Sequence, residues 1–200
     1  MSASCISCSP TLRIHFLTNM IQPLHSIYPK IGKGSFVAET AAVIGDVVIG
    51  EESSVWYSAV IRGDVNKIRI GDRVSIQDCT CLHCSEDDAF IEIGNDVTVG
   101  HNVCLHGCKI EDNVLIGMGS TVLDNAHISS GSVVAAGALV LSKTEIGPGE
   151  LWGGVPAKLI KKLSQADIDR IVTPLPKHYQ YWAEEYLKEQ ENAAPDLSQD

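Results

Sequence analysis

Residues 110–146 read IEDNVL IGMGST VLDNAH ISSGSV VAAGAL VLSKTE I, and an aliphatic residue opens every block of six. These residues are Ile110, Ile116, Val122, Ile128, Val134, Val140 and Ile146. Working outward, the same beat runs through Ile93, Val99 and Leu105, through Ile70, Ile76 and Leu82, and from Ile31 to Ile61 by way of Val37, Val43, Ile49 and Val55. Four residues after most of them stands a small or β-branched residue, among them Ala41, Ser53, Ala59, Val65, Thr80, Ser120, Ala126 and Ser132. An amphipathic helix repeats every 3.6 residues and an ordinary strand every two, so neither sustains this period. One large and one small inward position in each block is what a narrow prism of parallel strands and tight corners requires.

The pattern resembles the hexapeptide repeat of left-handed parallel β-helices, in which three hexads make one triangular coil. The resemblance, and not the spacing, supplies the hand. The expected fold is an all-β solenoid, a left-handed parallel β-helix of hexapeptide repeats with a C-terminal α-helix, and grouping the hexads by threes gives about six coils. Two steps break the beat. Ile61 to Ile70 spans nine residues and implies a three-residue insertion at a corner. Leu82 to Ile93 spans eleven and implies a five-residue loop carrying Glu86, Asp87 and Asp88. Insertions in a solenoid map to surface loops, often near a binding face. After Ile146 the beat fades through residues 151–157. Ser164 with Asp167 reads as a helix start, Pro174 and Pro176 are expected to interrupt, and residues 177–190 read as a second helix. The chain thus divides into a disordered leader (1–20), the β-helix (21–160), a helical segment (161–191) and a disordered tail (192–200).

The chain has 200 residues, one domain by length, with 15 Lys and Arg against 25 Asp and Glu, so its net charge of −10 repels phosphate backbones. No nucleic-acid partner is expected. No apolar run reaches the roughly 18 residues of a membrane span, and Arg13 and His15 break the only apolar stretch of the leader. Five of the seven Cys lie between Cys79 and Cys108, a distribution unlike a disulfide framework. Reduced thiols and a cytoplasmic location are expected, with no membrane partner.

Positions three hexads apart stack on one face. Arg62, His83 and His106, each following a large inward residue, therefore form an outward column, and Gln77 and Asp78 lie over His101 on a neighbouring face. His83 and His106 are one strand spacing apart and can grip one metal ion; His101, on another face, cannot join them within one chain. A second copy can supply it. A prism packed around a threefold axis apposes different faces of neighbouring chains in a closed ring. The sequence therefore predicts a homotrimer with a metal at each interface, held by two His from one chain and one from the next. Three His with an open position is the catalytic arrangement of zinc, in which bound water becomes acidic at about pH 7. His15, His25, His127 and His178 are read as ordinary surface residues. A thiolate site among Cys79, Cys81, Cys84, Cys104 and Cys108 fits no paired zinc-ribbon spacing, and most of these Cys are assigned to turns.

Arg62-Gly63-Asp64, Ile76-Gln77-Asp78, His83, Gly100-His101, Leu105-His106-Gly107-Cys108 and residues 115–119 together resemble the γ-class carbonic anhydrase family over about residues 25–190. The resemblance implies a homotrimeric left-handed β-helix with Zn2+, or Fe2+ or Co2+, at each subunit interface, and reversible hydration of carbon dioxide to bicarbonate. It implies His83, His101 and His106 as metal ligands and Gln77 as the residue that orients metal-bound water. Arg62, Asp64 and Asp78 would tie subunits together, with Arg62 also attracting bicarbonate, and Glu86 or Tyr179 would carry the proton away. The acidic loop is shortened, as in the short-loop bacterial subgroup. Two alternatives remain open. Gly153-Gly154-Val155-Pro156-Ala157-Lys158 resembles the closing motif of hexapeptide acyltransferases, whose interface His is a general base, so an acyltransferase or acyl-CoA thioesterase is one. A metal-binding scaffold subunit without turnover is the other.

Overall fold

The structure is a computed structural model and describes residues 20–86 and 88–193. The leader through residue 19, with Cys5, Cys8 and His15, the loop residue Asp87 and the tail from residue 194 lie outside the described residues. Met20, assigned above to the leader, is already part of a strand, Met20–Gln22, paired with Ala42–Ile44.

The chain forms a left-handed parallel β-helix in which the aliphatic beat is the core. From Val43 to Ile146 every beat position is at most 4% exposed. Most of the small positions, Val65 excepted, are equally buried, and their hydroxyls are used: Ser53 Oγ donates to the Gly71 carbonyl at 3.0 Å, Thr80 Oγ1 to that of Gly100 at 2.9 Å and Ser132 Oγ to that of Gly147 at 2.8 Å. Each of these bonds ties one coil to the next. Three residues after the large position the chain turns through positive φ, which explains Asn102, Asn113 and Asn125 at φ 56, 55 and 59°; asparagine tolerates that region better than most side chains.

Strands Ala42–Ile49 and Val60–Ile70 each run through one corner and merge two faces into a 12-stranded sheet, while the third face is an 8-stranded sheet. On that third face Val37, Val55, Ile76, Val99, Ile116, Val134 and Trp152 fall into register, one above another. There are thus seven coils, one more than expected. The beat does not end at Ile146; it passes to Trp152, whose indole N–H donates to Glu150 Oε2 at 2.9 Å. Lys158–Lys162 then returns antiparallel against Glu150–Gly153 and finishes the sheet.

The first insertion is not a separate loop. It is absorbed into strand Val60–Ile70, where the register jumps from Gly45 opposite Gly63 to Val47 opposite Ile68. The inward assignment of Val65 therefore fails: Val65 is 43% exposed, and Ile68, fully buried, takes its place. The second insertion does leave the prism after His83, with Glu86 and Asp88 exposed, while Cys84 and Ala89 tuck back into the core.

Helix α1, Gln165–Ile171, starts with a capping box between Ser164 and Asp167. Helix α2, Pro174–Ala193, begins three residues earlier than the sequence suggests. Pro174 and Pro176 do not interrupt it, because proline lacks only N–H groups that the first helical turn leaves unbonded in any case. Helix α2 lies along the third face, where the Tyr186 ring sits 5.4 Å from Phe36 and 5.5 Å from Trp56, and Tyr179 sits 5.8 Å from Trp56. Among the described residues no helix is long and apolar enough to cross a membrane.

Candidate metal centre

The column anticipated from the repeat is present: Arg62 pairs in register with His83, and His83 with His106. Inward Leu82 and Leu105, both fully buried, fix the two strands, so the next residue on each must point outward. The His rings lie 5.2 Å apart, with Nδ1 of His83 facing Nε2 of His106 at 3.2 Å.

What lies behind the rings decides what those facing atoms can do. His83 Nε2 is 3.1 Å from Asp64 Oδ1, and His106 Nδ1 is 2.6 Å from Asp124 Oδ1. Carboxylates accept, so these nitrogens carry the protons and donate. In a neutral ring the other nitrogen then presents a lone pair. Two lone pairs face one another at 3.2 Å, an arrangement that calls for a cation or a shared proton between them. Two nitrogens each 2.0–2.1 Å from a tetrahedral zinc would be about 3.3 Å apart. A carboxylate on the far nitrogen of a ligating His is also the usual support for a metal ligand. The donor chemistry fits a metal ion.

Asp124 has no place in the sequence reading, and the register held no signal for it. One coil on, Leu105 pairs with Val122, which sets Asp124 over Gly107, and only the direction of its side chain brings it behind the His106 ring; Ser85 Oγ steadies its other oxygen at 3.0 Å. Asp64 also holds Arg62 through a close ion pair. Burial works to raise the Asp64 pKa, but the hydrogen bonds from Arg62, its own backbone and His83 outweigh that and keep it lowered.

His101 stands on the neighbouring face, as expected, with Nδ1 donating to Asp78 Oδ2 at 2.8 Å and Nε2 on its far side. Asp78 and Arg62, which the family resemblance assigns to contacts between subunits, thus have partners within the chain. Among the described residues no group of three or more His, Cys, Asp or Glu is placed to hold a metal. Within one chain the His83–His106 pair lies on one face and His101 on another.

His101 opens onto a cavity of about 330 Å3 between the third face and α2, shared with Gln77 and Tyr179. Gln77 is buried at 4% exposure. Burial, helped by the negative charge of Asp78, raises the Tyr179 pKa, so its phenol stays protonated through neutral pH. Glu86 is exposed in the bend three residues past His83. His127 shows a different use of histidine: both its nitrogens are occupied, by Glu111 at 2.8 Å and Glu145 at 3.0 Å.

The cysteines do not follow the turn assignment. Only Cys79 sits at a positive-φ corner; Cys81 and Cys104 face each other across paired strands, and Cys84 and Cys108 are buried. Burial pushes the Cys84 thiol up to about 11 and raises Cys108 as well, which keeps both protonated and unsuited to binding a metal as thiolates. All five described cysteines are free.

The bacterial transferase hexapeptide family (six repeats) matches residues 90–124 and 107–142. The chain is 46% identical over 145 residues to gamma carbonic anhydrase 2, mitochondrial, of Arabidopsis thaliana, covering 70% of this chain and 52% of that protein. The chain thus spans about half the length of that plant relative. It is 43% identical over 149 residues to a carbonic anhydrase of Geobacillus kaustophilus, covering 74% of this chain and 81% of the other. Among solved structures, a hexapeptide transferase family protein from Anaplasma phagocytophilum superposes with a TM-score of 0.78 at 36% identity, over 84% of this chain and 98% of that one.

Proposed function

Because the chain belongs to the γ-class carbonic anhydrase family, we propose that it catalyses the reversible hydration of carbon dioxide to bicarbonate at metal centres shared between three copies of the chain. The observation that carries this reading is the His83–His106 pair, whose facing nitrogens present lone pairs 3.2 Å apart while carboxylates hold the opposite nitrogens. His101 of a neighbouring copy would complete the ligand set, since within one chain it lies on a different face. Three imidazoles suit Zn2+, with Fe2+ or Co2+ as the other ions such donors accept. Such an ion, when bound, acidifies water enough to make hydroxide available near neutral pH.

The remaining work falls to the chain. Asp64, Asp124 and Asp78 fix the tautomers of His83, His106 and His101, so each ring offers the same nitrogen throughout. Gln77, buried beside His101, holds water or a bicarbonate oxygen through its amide. Arg62, clamped by Asp64 next to the His pair, supplies positive charge for the bicarbonate anion. Protons leave by way of Tyr179 or the exposed carboxylate of Glu86. Arg62, Asp64 and Asp78 also border the faces that would meet in the trimer.

Acyl transfer is the rival, favoured by the likeness to a hexapeptide transferase family protein and by the Gly153–Lys158 segment. It uses an interface His as a base and needs no metal. Measuring mass, metal content and hydration rate on one preparation separates the two. The expected result is a trimer with about one ion per chain whose carbon dioxide hydration is lost to a chelator and restored by metal. A monomer with a full complement of metal, or a metal-free trimer that transfers acyl groups, overturns the proposal.

A further inference from the structure

Cys81 and Cys104 are register partners on neighbouring parallel strands, Cys81–His83 and Cys104–His106, and each precedes an inward leucine that is fully buried. Both thiols therefore point outward, on the side of the sheet that carries the His pair two residues further on. Cys81 is exposed, Cys104 is half-buried, and both are free. The same position on the adjacent coils holds Ala42, Val60, Thr121 and Leu139. The column thus accepts small and aliphatic side chains, and two consecutive coils place sulfur in it.

Paired strands lie about 4.8 Å apart, which sets the two Cα atoms within the roughly 4.4–6.8 Å that a disulfide spans. Parallel Cα–Cβ bonds start the side chains at nearly that separation, slightly beyond the roughly 3.5–4.5 Å between the Cβ atoms of a bridge, so closure needs only a small lean of one residue toward the other. The strain stored by that lean makes the bond easier to reduce, and strained, accessible disulfides are the reversible ones. The other described cysteines lack this arrangement: Cys84 and Cys108 are each 1% exposed, and Cys79 turns through a positive-φ corner outside the strands.

We propose that Cys81 and Cys104 are a redox-active dithiol that closes reversibly to a disulfide by exchange with a low-molecular-weight disulfide. The deprotonated Cys81 sulfur, the more exposed of the two, attacks one sulfur of the reagent, whose S–S bond breaks and releases one thiol. The Cys104 sulfur then attacks Cys81, and the second thiol leaves. The two cysteines lose two electrons and two protons, and the reagent gains both as two thiols. The inference goes beyond the hydration reading and stands without it.

Adding oxidised glutathione to the reduced full chain tests it, followed by mass spectrometry, mapping of bridged peptides after alkylation and a non-reducing denaturing gel. The expected product has lost two hydrogens, runs as a single chain, carries the Cys81–Cys104 bridge, leaves Cys84 and Cys108 free and returns to its starting mass with dithiothreitol. Cys104→Ser should stop with one glutathione held on Cys81, because the sulfur that would displace it is gone. Wild-type protein that stays reduced, keeps glutathione on Cys81, bridges Cys79 instead or links chains through either thiol overturns the inference. A bridge that forms only when Cys84 and Cys108 also react reports unfolding and overturns it too. Metal content and hydration enter none of these readouts, so failure here leaves the hydration reading where it stood.

Discussion

Two outer faces of one prism carry the three histidines, and they are furnished in opposite ways. The face of His83 and His106 is a polar strip: Arg62, Asp64 and Asp124 surround the rings, and among the described residues no helix covers them. The face of His101 lies beside an apolar recess roofed by α2, with Gln77 and Thr98 as its buried polar groups. Both faces are made by the same hexads, whose inward residues are indistinguishable in kind. The repeat fixes only what points inward. Each outward position is free to be chosen for what it meets, so one scaffold presents a cation-binding strip on one side and an apolar pocket on the next.

The sharpest way to break the comparison is to remove one histidine from each face. His106→Ala and His101→Ala should each reduce hydration to background, yet a randomly mixed trimer of the two variants should regain about a quarter of its sites, since a site with all three ligands forms wherever an intact pair meets an intact His101. Mixed trimers that form but recover neither metal nor rate would show that the two faces do not share a site.

Stepping one residue inward along the strand changes the outcome from chemistry to stability. Leu105→Ala, fully buried beside His106, should cost about 2–5 kcal/mol in denaturant unfolding because it leaves a cavity in a narrow core. Metal affinity in the folded fraction should change far less, and a fall in affinity as large as that of His106→Ala would contradict the division between inward and outward positions.

Asp124→Asn should leave the fold intact and weaken metal binding by about 10–100-fold, read by titration with a chelator, because His106 loses the acceptor that fixes its tautomer. Unchanged affinity would mean that the carboxylate behind the ring is incidental.

The smallest effect belongs to the histidine with both nitrogens occupied. The Glu111 pKa is lowered first by the Ser130 N–H, against an opposing contribution from burial, and further by His127 and the Ser130 hydroxyl, from an ordinary value of 4.5. A lowered folded-state pKa means that its stabilisation is present above about pH 4.5 and disappears as the pH falls through the folded value. With Glu111 37% exposed, Glu111→Gln should lose under about 1 kcal/mol at pH 7, and the gap from wild type should close as the pH falls below the lowered folded-state value. A gap that persists unchanged at low pH would assign the loss to packing instead of charge.

Much of this molecule was legible in its sequence because a solenoid is quasi-one-dimensional: each coil touches its neighbours, so register along the chain is also position in space. That is why the period of six predicted the core from Val43 to Ile146, the stacking of Arg62, His83 and His106, and the placement of His101 on another face with Asp78 beside it. Counting failed where the chain leaves the period. The residues after Ile61 could have formed a loop and instead extended a strand, exposing Val65; the last coil passed to Trp152, which no aliphatic beat would select. The prolines at the start of α2 were misplaced for a local reason, since proline in the first turn begins a helix as readily as it breaks one; the descent of α2 over Gln77 and His101 and the carboxylate of Asp124 behind His106 depend on contacts between side chains distant in sequence or on side-chain direction, which periodicity does not encode. The sequence by itself determined the prism and the face on which each histidine stands. Only the tertiary structure decided which nitrogen each ring presents, because that depends on carboxylates a few ångströms away whose positions the repeat leaves free to vary.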